Sequence, residues 1–102
     1  MEVTLAPLSA IPEGEGRTFN IGSKRLAVFR GRQGGLYASE AECPHRGGAL
    51  ADGLLGGCTL VCPLHALKFD LTTGKALNGD CSIQIYPARI GPNQQIVVDL
   101  RD

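Results

Sequence analysis

The sequence predicts a mostly β fold, because short apolar stretches alternate with turn residues along the whole chain. Its 102 residues include 14 glycines and 6 prolines, and no segment carries the sustained 3.6-residue apolar period of a long helix. A chain of this length can bury one modest core. We therefore expect a single domain over residues 1–102, built as a small antiparallel barrel or sandwich.

Turn signals divide the chain into eight predicted strands. In the third, Leu26 and Val28 would face one side of the sheet. Ala27 and Phe29 would face the other side, and apolar residues on both faces are typical of a strand buried inside a barrel or sandwich. The predicted strands lie around Val3 and Leu5 and at 17–21, 24–30, 36–39, 58–61, 66–71, 83–90 and 95–100.

Pro87 interrupts the seventh predicted strand. Proline has no backbone N–H to donate to a neighbouring strand, so it is tolerated only at a sheet edge or in a bulge. The strand over 83–90 is therefore predicted to lie at an edge or to be bulged. Turns are expected at 51–53, at 72–74, where a hairpin closes, and at Asn78-Gly79.

The chemistry of the chain is concentrated in two short motifs. The first is Cys43-Pro44-His45 and the second is Cys62-Pro63-Leu64-His65. The chain has only two histidines, and each follows a cysteine by two or three residues. Residues 46–61 separate the motifs. If the cysteines were inert thiols and the histidines belonged to a core, this doubled spacing would be unexplained. The spacing therefore indicates a metal site.

Two thiolates and two imidazoles are compatible with two kinds of metal centre. Zinc accepts a tetrahedral Cys₂His₂ set, and a [2Fe–2S] cluster can be held by two cysteines on one iron and two histidines on the other. Zinc fingers usually group their ligands by type, Cys-x₂₋₄-Cys followed by His-x₃₋₅-His. Here each motif supplies one cysteine and one histidine, which favours a binuclear cluster between two similar loops.

The full motifs resemble those of the Rieske iron–sulfur family. The resemblance rests on residues 43–48, Cys-Pro-His-Arg-Gly-Gly, with residues 62–65, Cys-Pro-Leu-His. It extends to 50–53, Leu-Ala-Asp-Gly, and 69–74, Phe-Asp-Leu-Thr-Thr-Gly. It implies a Rieske-type barrel or sandwich with an inserted cluster-binding subdomain, whose loops span about 41–66. It also implies one [2Fe–2S] cluster, whose metal-binding and cofactor-binding residues are Cys43, His45, Cys62 and His65.

Composition restricts the partners and the compartment. Ten basic residues balance ten acidic ones and neither sign forms a long run, which argues against nucleic acid and anionic membranes as partners. No apolar run is long enough to span a bilayer, and the N-terminus has no signal-peptide pattern. A cytoplasmic protein is expected. Cys58 and Cys81 are interpreted as small half-buried apolar side chains.

The reduction potential is expected to be low. High-potential Rieske proteins place a serine and a tyrosine at the positions that correspond to Leu67 and Phe69. Fewer hydroxyl donors stabilise the reduced cluster less. The resemblance therefore implies a midpoint near the lower end of the Rieske range, about −150 mV.

One-electron transfer is the function that these residues predict. The sequence has no nucleotide-binding Gly-x-Gly-x-x-Gly motif, and both histidines are already assigned to the cluster, so no catalytic site is predicted. The resemblance implies that electrons come from an NAD(P)H-dependent reductase and pass to a terminal reductase or oxygenase. Pro44, Leu64 and Arg46, near the loop tips, are candidate contacts for these partners.

Two protein types within the family match the chain. The short connection Asn78-Gly79-Asp80-Cys81 resembles that of the small subunit of NAD(P)H-dependent nitrite reductase, which we take as the first interpretation. The alternative is a soluble Rieske ferredoxin of an aromatic-ring-hydroxylating dioxygenase system. Residues 73–77, Thr-Gly-Lys-Ala-Leu, fit that type equally well. A zinc-stabilised binding module remains the alternative from outside the family.

Overall fold

The fold is mostly β, as the sequence predicts. The computed structural model describes residues 1–32, 34–42, 49–62, 67–79 and 81–100. Within these ranges the only helical segments are three short 3₁₀ turns at Leu8–Ala10, Leu50–Asp52 and Pro92–Gln94. The strands are β1 (Glu2–Pro7), β2 (Glu15–Ile21), β3 (Lys24–Arg30), β4 (Leu36–Glu40), β5 (Leu54–Gly56), β6 (Thr59–Val61), β7 (Lys68–Asp70), β8 (Ile85–Tyr86), β9 (Ala88–Ile90) and β10 (Gln95–Asp99).

The strands form three antiparallel sheets. The first has the order β1-β10-β9, and the second has the order β2-β3-β4-β8. These two sheets make the body of the molecule. The third sheet, β5-β6-β7, lies between β4 and β8 in the sequence and carries the second motif at the end of β6. This sheet corresponds to the inserted subdomain that the resemblance implies.

Strand β3 is buried on both faces, which confirms the alternation read from its sequence. Its four central residues have no exposed surface. Leu26 and Val28 face a core shared by the first two sheets, which also contains Ile96 and Val98. Ala27 and Phe29 face a second core. That second core joins β3 to the third sheet through Leu50, Leu60, Cys62, Phe69, Leu71 and Ile83.

The prediction of a single strand over residues 83–90 is wrong, because this stretch forms two separate strands. The chain forms β8, which pairs with β4, and then β9, which pairs with β10 in a different sheet. Pro87 stands between the two strands, where a ladder hydrogen bond from its nitrogen is not needed. Both β8 and β9 are edge strands of their sheets, so the edge position predicted from Pro87 is confirmed.

The third sheet differs from the prediction in one strand. Strand β6 begins at Thr59 and was expected, whereas β5 was not predicted. The two are joined by a tight turn in which Gly57 has a φ of 60°, a conformation that glycine adopts without steric cost. Strand β7 is shorter than the predicted stretch 66–71. The turn after it is confirmed, since the chain returns to form the bridge between Phe69 and Ala76.

Replacing Phe29 by alanine should destabilise the protein strongly. Phe29 is fully buried in the core that joins the body to the third sheet, and a Phe→Ala cavity typically costs about 3–5 kcal/mol. The free energy of unfolding can be measured by denaturant titration followed by circular dichroism. Thr18→Ala, on the exposed surface of the adjacent strand β2, is the control and should change stability by less than about 0.5 kcal/mol. A loss below about 1 kcal/mol for Phe29→Ala would contradict the assignment.

Candidate metal centre

The second motif begins where β6 ends. Cys62 directly follows Val61, the last residue of β6, and its side chain is 1% exposed. Its backbone N–H donates to the carbonyl of Leu67 at 2.7 Å. Leu67 in turn precedes β7. The β6–β7 pair therefore fixes both ends of the segment 63–66.

The segment that carries the first motif is closed in a similar way. Glu42 and Ala49 form an isolated antiparallel bridge, so the chain positions on either side of 43–48 are paired. The Leu50 N–H donates to the carbonyl of Ala41 at 2.9 Å and reinforces this closure. Both motifs are thus held at their ends by backbone hydrogen bonds, which a substitution of side chains does not remove.

A single core lies beneath both closures. Leu50, next to the end of the first segment, and Cys62, at the start of the second, belong to the same buried cluster. Phe29 and Phe69 are members of that cluster and are fully buried. Because one densely packed core lies beneath both closures, the two motif segments begin and end in the same region of the fold.

Among the four predicted ligands, Cys62 lies within the described residues. Cys43, His45 and His65 lie outside them, as do Pro44, Arg46 and Leu64. Cys62 is a free thiol. A buried free thiol at the end of a strand fits the thiolate donor that a [2Fe–2S] cluster requires. Cys62, the predicted ligand that the structure describes, is therefore chemically compatible with the cluster.

The other two cysteines are placed differently. Cys58 lies in the β5–β6 turn and Cys81 follows the Asn78-Gly79 turn, and both are half-buried free thiols. Their carbonyl oxygens accept hydrogen bonds from the N–H groups of Leu71, at 2.8 Å, and Ala76, at 3.0 Å. The partial burial agrees with the interpretation of both as small apolar side chains.

The residues that follow the second motif are apolar and packed. Leu67 is half-buried against the second core, and Phe69 has no exposed surface. Cys62, Leu67 and Phe69 therefore share one apolar environment. Neither Leu67 nor Phe69 has a hydroxyl group that could donate to sulfur, so the expectation of a low potential stays a prediction with a defined structural basis.

Two charged groups have pKa values that hydrogen bonds shift. Asp70, at the end of β7, accepts hydrogen bonds from the hydroxyl of Thr72 at 2.6 Å and from its backbone N–H at 2.9 Å. These bonds lower the pKa of the Asp70 carboxyl group, which is therefore ionised at neutral pH. In the body, Arg89 donates to Glu2 at 2.8 Å, and this bond and the Glu2 charge raise the pKa of the guanidinium group.

Comparison with known proteins identifies the family. The model of the Rieske [2Fe–2S] domain matches residues 1–87. The ferredoxin component of the naphthalene 1,2-dioxygenase system of Pseudomonas aeruginosa is 36% identical over 91% of this chain and 89% of its own length. The ferredoxin subunit of the 3-phenylpropionate/cinnamic acid dioxygenase of Shigella boydii is 39% identical over 92% of this chain and 89% of its own length.

Solved structures agree on the fold. A candidate NADH-dependent nitrite reductase small subunit from Mycobacterium tuberculosis has a TM-score of 0.88 at 24% identity, over 96% of this chain and 93% of its own. The ferredoxin of carbazole 1,9a-dioxygenase from Nocardioides aromaticivorans has a TM-score of 0.86 at 24% identity, over 99% of both chains. A carbazole 1,9a-dioxygenase complex of reduced oxygenase and oxidised ferredoxin includes a chain with a TM-score of 0.81 at 25% identity, over 95% of this chain and 91% of that one.

Both protein types predicted from the sequence therefore occur among the proteins similar to this chain. Within the described ranges, no helix has the length and apolar character needed to cross a bilayer. The match to the domain model, the buried thiol of Cys62 and the two closed motif segments lead to the same conclusion. The chain belongs to the Rieske [2Fe–2S] domain family and is a one-electron carrier with one [2Fe–2S] cluster.

Proposed function

We propose that this protein is the ferredoxin component of a ring-hydroxylating dioxygenase system. It would take electrons from an NAD(P)H-dependent reductase and deliver them one at a time to an oxygenase component. The observation that carries this proposal is the 36% identity with the naphthalene dioxygenase ferredoxin over nearly the full length of both chains. The solved complex of oxygenase and ferredoxin in carbazole 1,9a-dioxygenase supports the same kind of partner.

We also propose that Cys43, His45, Cys62 and His65 hold the cluster. When bound, a cluster of this type accepts and returns one electron, and its histidine ligands raise its potential above that of all-cysteine clusters. Burial of Cys62 and the placement of its pair of strands support its role as a ligand. We further propose that residues 1–102 form one domain that acts in the cytoplasm.

The described residues around Cys62 would assist electron transfer by keeping the surroundings of this thiol rigid. Leu60, Phe69 and Phe29 surround it with a buried apolar core, which excludes water and resists rearrangement. The hydrogen bond between Cys62 and Leu67 holds the second segment to β7. An electron carrier benefits from such rigidity, because a site that moves little on a change of charge needs little reorganisation.

The small subunit of nitrite reductase is the second candidate, and one feature favours it. The connection after Leu77 is short, and the structure closes it on both sides. Lys68 donates its backbone N–H to the side-chain oxygen of Asn78 at 2.9 Å, and Ala76 donates its backbone N–H to the carbonyl of Cys81 at 3.0 Å. The similarity to the Mycobacterium protein, at 24% identity, supports the shared fold. The curated dioxygenase ferredoxins are more similar in sequence, so we place them first.

The ligand assignment can be tested with cysteine variants. Cys62→Ser should abolish the red-brown colour and the acid-labile sulfide, because an iron–sulfur cluster prefers a soft thiolate to the hydroxyl of serine. Cys58→Ser and Cys81→Ser are matched controls and should retain both. The readouts are the visible spectrum, iron and sulfide content, and EPR of the reduced protein. A colourless wild-type protein that contains zinc would contradict the cluster, and bleaching by Cys58→Ser but not by Cys62→Ser would contradict the ligand set.

A hydroxyl at position 67 should raise the reduction potential. Leu67→Ser places a donor where high-potential relatives carry one, and a hydrogen bond to a charged group contributes about 1.5–3 kcal/mol. For a one-electron couple this free energy corresponds to a rise of roughly 60–130 mV in the midpoint potential. The midpoint is measured by redox titration, with Leu67→Ala as the control for lost packing. An equal shift in both variants, or a wild-type midpoint above zero, would contradict the explanation of the low potential.

The choice between the two partners can be tested by electron transfer. The chemically reduced protein is mixed with the oxygenase component of naphthalene 1,2-dioxygenase or with the large subunit of an NADH-dependent nitrite reductase. Reoxidation is followed by the change in visible absorption in a stopped-flow instrument. We expect saturable oxidation by the oxygenase and at least tenfold slower oxidation by the nitrite reductase subunit. The reverse preference would establish the second candidate instead.

A further inference from the structure

The third sheet has an outward-facing row of side chains that the electron-carrier function does not by itself explain. Leu54 of β5 pairs with Val61 of β6, and Val61 pairs with Lys68 of β7. The N–H of Leu77 donates to the carbonyl of Lys68 at 2.7 Å and extends the row by one residue. We call these four residues, Leu54, Val61, Lys68 and Leu77, the outer row.

The side chains of the outer row point away from the core. The next cross-strand set along the sheet, Leu55, Leu60 and Phe69, packs into the second core. Because successive residues of a strand face opposite sides, the outer row faces solvent. Leu54 is 75% exposed and Leu77 is 58% exposed. They are two of only four large hydrophobic residues that are exposed in the described part of the chain.

The charges on this face are mainly positive. Lys68 lies within the outer row and Lys75 lies two residues before Leu77, and both side chains are exposed. Neither ammonium group has an ion-pair partner among the residues that the structure describes. The Asp70 carboxylate, on the same face, accepts hydrogen bonds from Thr72 and keeps its negative charge, because both donors are neutral. Lys68, Lys75 and Asp70 together therefore give this face one excess positive charge beside the apolar side chains.

The outer row is continuous with the proposed cluster site. Val61 is the residue before Cys62, and Lys68 is the residue after Leu67, so the row adjoins both ends of the segment 63–66. Four residues spaced by about 4.8 Å span roughly 14 Å. Four residues are far fewer than the roughly 20–30 residues that each side contributes to a standard interface. A surface of this size suits a transient redox complex and is too small for a stable dimer of this chain.

We propose that the outer row is a docking surface for the oxygenase component. Apolar residues of the oxygenase would contact Leu54 and Leu77. Its carboxylates would lie opposite Lys68 and the neighbouring Lys75. Opposite charges increase the rate of encounter, and exposed apolar side chains that become buried slow dissociation. The inference rests on the proposed function, because it takes the electron acceptor to be an oxygenase. It adds a contact surface on the strands of the third sheet to the predicted contacts at the loop tips.

The test compares variants on the outer row with matched variants in the body. Leu54→Ser/Leu77→Ser is compared with Ile90→Ser, which removes a 43% exposed apolar residue from β9 of the first sheet. Lys68→Glu is compared with Arg32→Glu, which reverses an exposed cation between β3 and β4 that has no ion-pair partner among the described residues. All four holoproteins are assayed with the oxygenase components of the naphthalene and carbazole dioxygenases. The apparent KM for the carrier is measured by stopped flow, and Kd is measured by isothermal titration calorimetry.

The double leucine variant should raise KM and Kd about tenfold, and Lys68→Glu should lower the association rate and reduce its dependence on salt. The midpoint potential and visible circular dichroism should equal those of the wild type, and the control variants Ile90→Ser and Arg32→Glu should be unaffected. Equal effects in both sets, or slower reduction by a dioxygenase reductase with normal oxidation by the oxygenase, would overturn the docking surface. A wild-type carrier that neither oxygenase oxidises would overturn the proposed function and this inference with it.

Discussion

Burial of β3 on both faces is the constraint on which the rest of the structure depends. Leu26 and Val28 complete the core between the first two sheets, and Ala27 and Phe29 complete the core beneath the third sheet. One strand thus belongs to two cores at once. Because protein interiors pack densely, a change in volume on either face is transmitted to the other core. The cluster-binding subdomain is therefore coupled to the body by apolar packing and does not depend on a linker.

That coupling gives the two motif segments a common base. Backbone hydrogen bonds close the chain at Glu42–Ala49 and at Cys62–Leu67, and Leu50 and Cys62 enter the same core. The backbone bonds fix the ends of each segment, whereas the core fixes one closure relative to the other. Both would be needed for the four proposed ligands, which come from separate parts of the chain, to converge on one cluster. Hydrogen bonds alone would leave each segment closed without determining the distance between them.

The sequence predicted the parts of the fold that depend on local patterns. The doubled cysteine–histidine spacing identified the family, and the alternation over 24–30 identified the buried strand. Pro87 identified an edge, but it could not reveal that the chain changes sheets there, because β8 and β9 choose different partners through long-range pairing. Strand β5 was missed since Leu54-Leu55-Gly56 is short and is followed directly by a second glycine. Such a segment becomes a strand only when β6 pairs with it.

The sequence predicted the candidate ligands but not the proposed docking surface. Ligand identity follows from residue type and spacing, so it could be proposed from the sequence, and it stays a proposal for Cys43, His45, Cys62 and His65. The outer row could not be foreseen, because its members are separated by 7 to 9 residues and become neighbours only through the register of β5, β6, β7 and the chain that follows. Leu54 and Leu77 carry no local signal that distinguishes an exposed leucine from a buried one.

Strand β7 shows how one short element can serve two purposes. The side chain of Phe69 points inward, beside Cys62 in the second core, and contributes to the apolar environment of that thiol. The side chain of Lys68 points outward, in the row proposed to meet a partner. Because neighbouring residues of a strand face opposite sides of the sheet, substitutions at 68 can change partner recognition without altering the surroundings of the cluster. Substitutions at 69 can change the potential without altering the contact surface. A carrier built on this sheet can therefore acquire a new partner while keeping its potential.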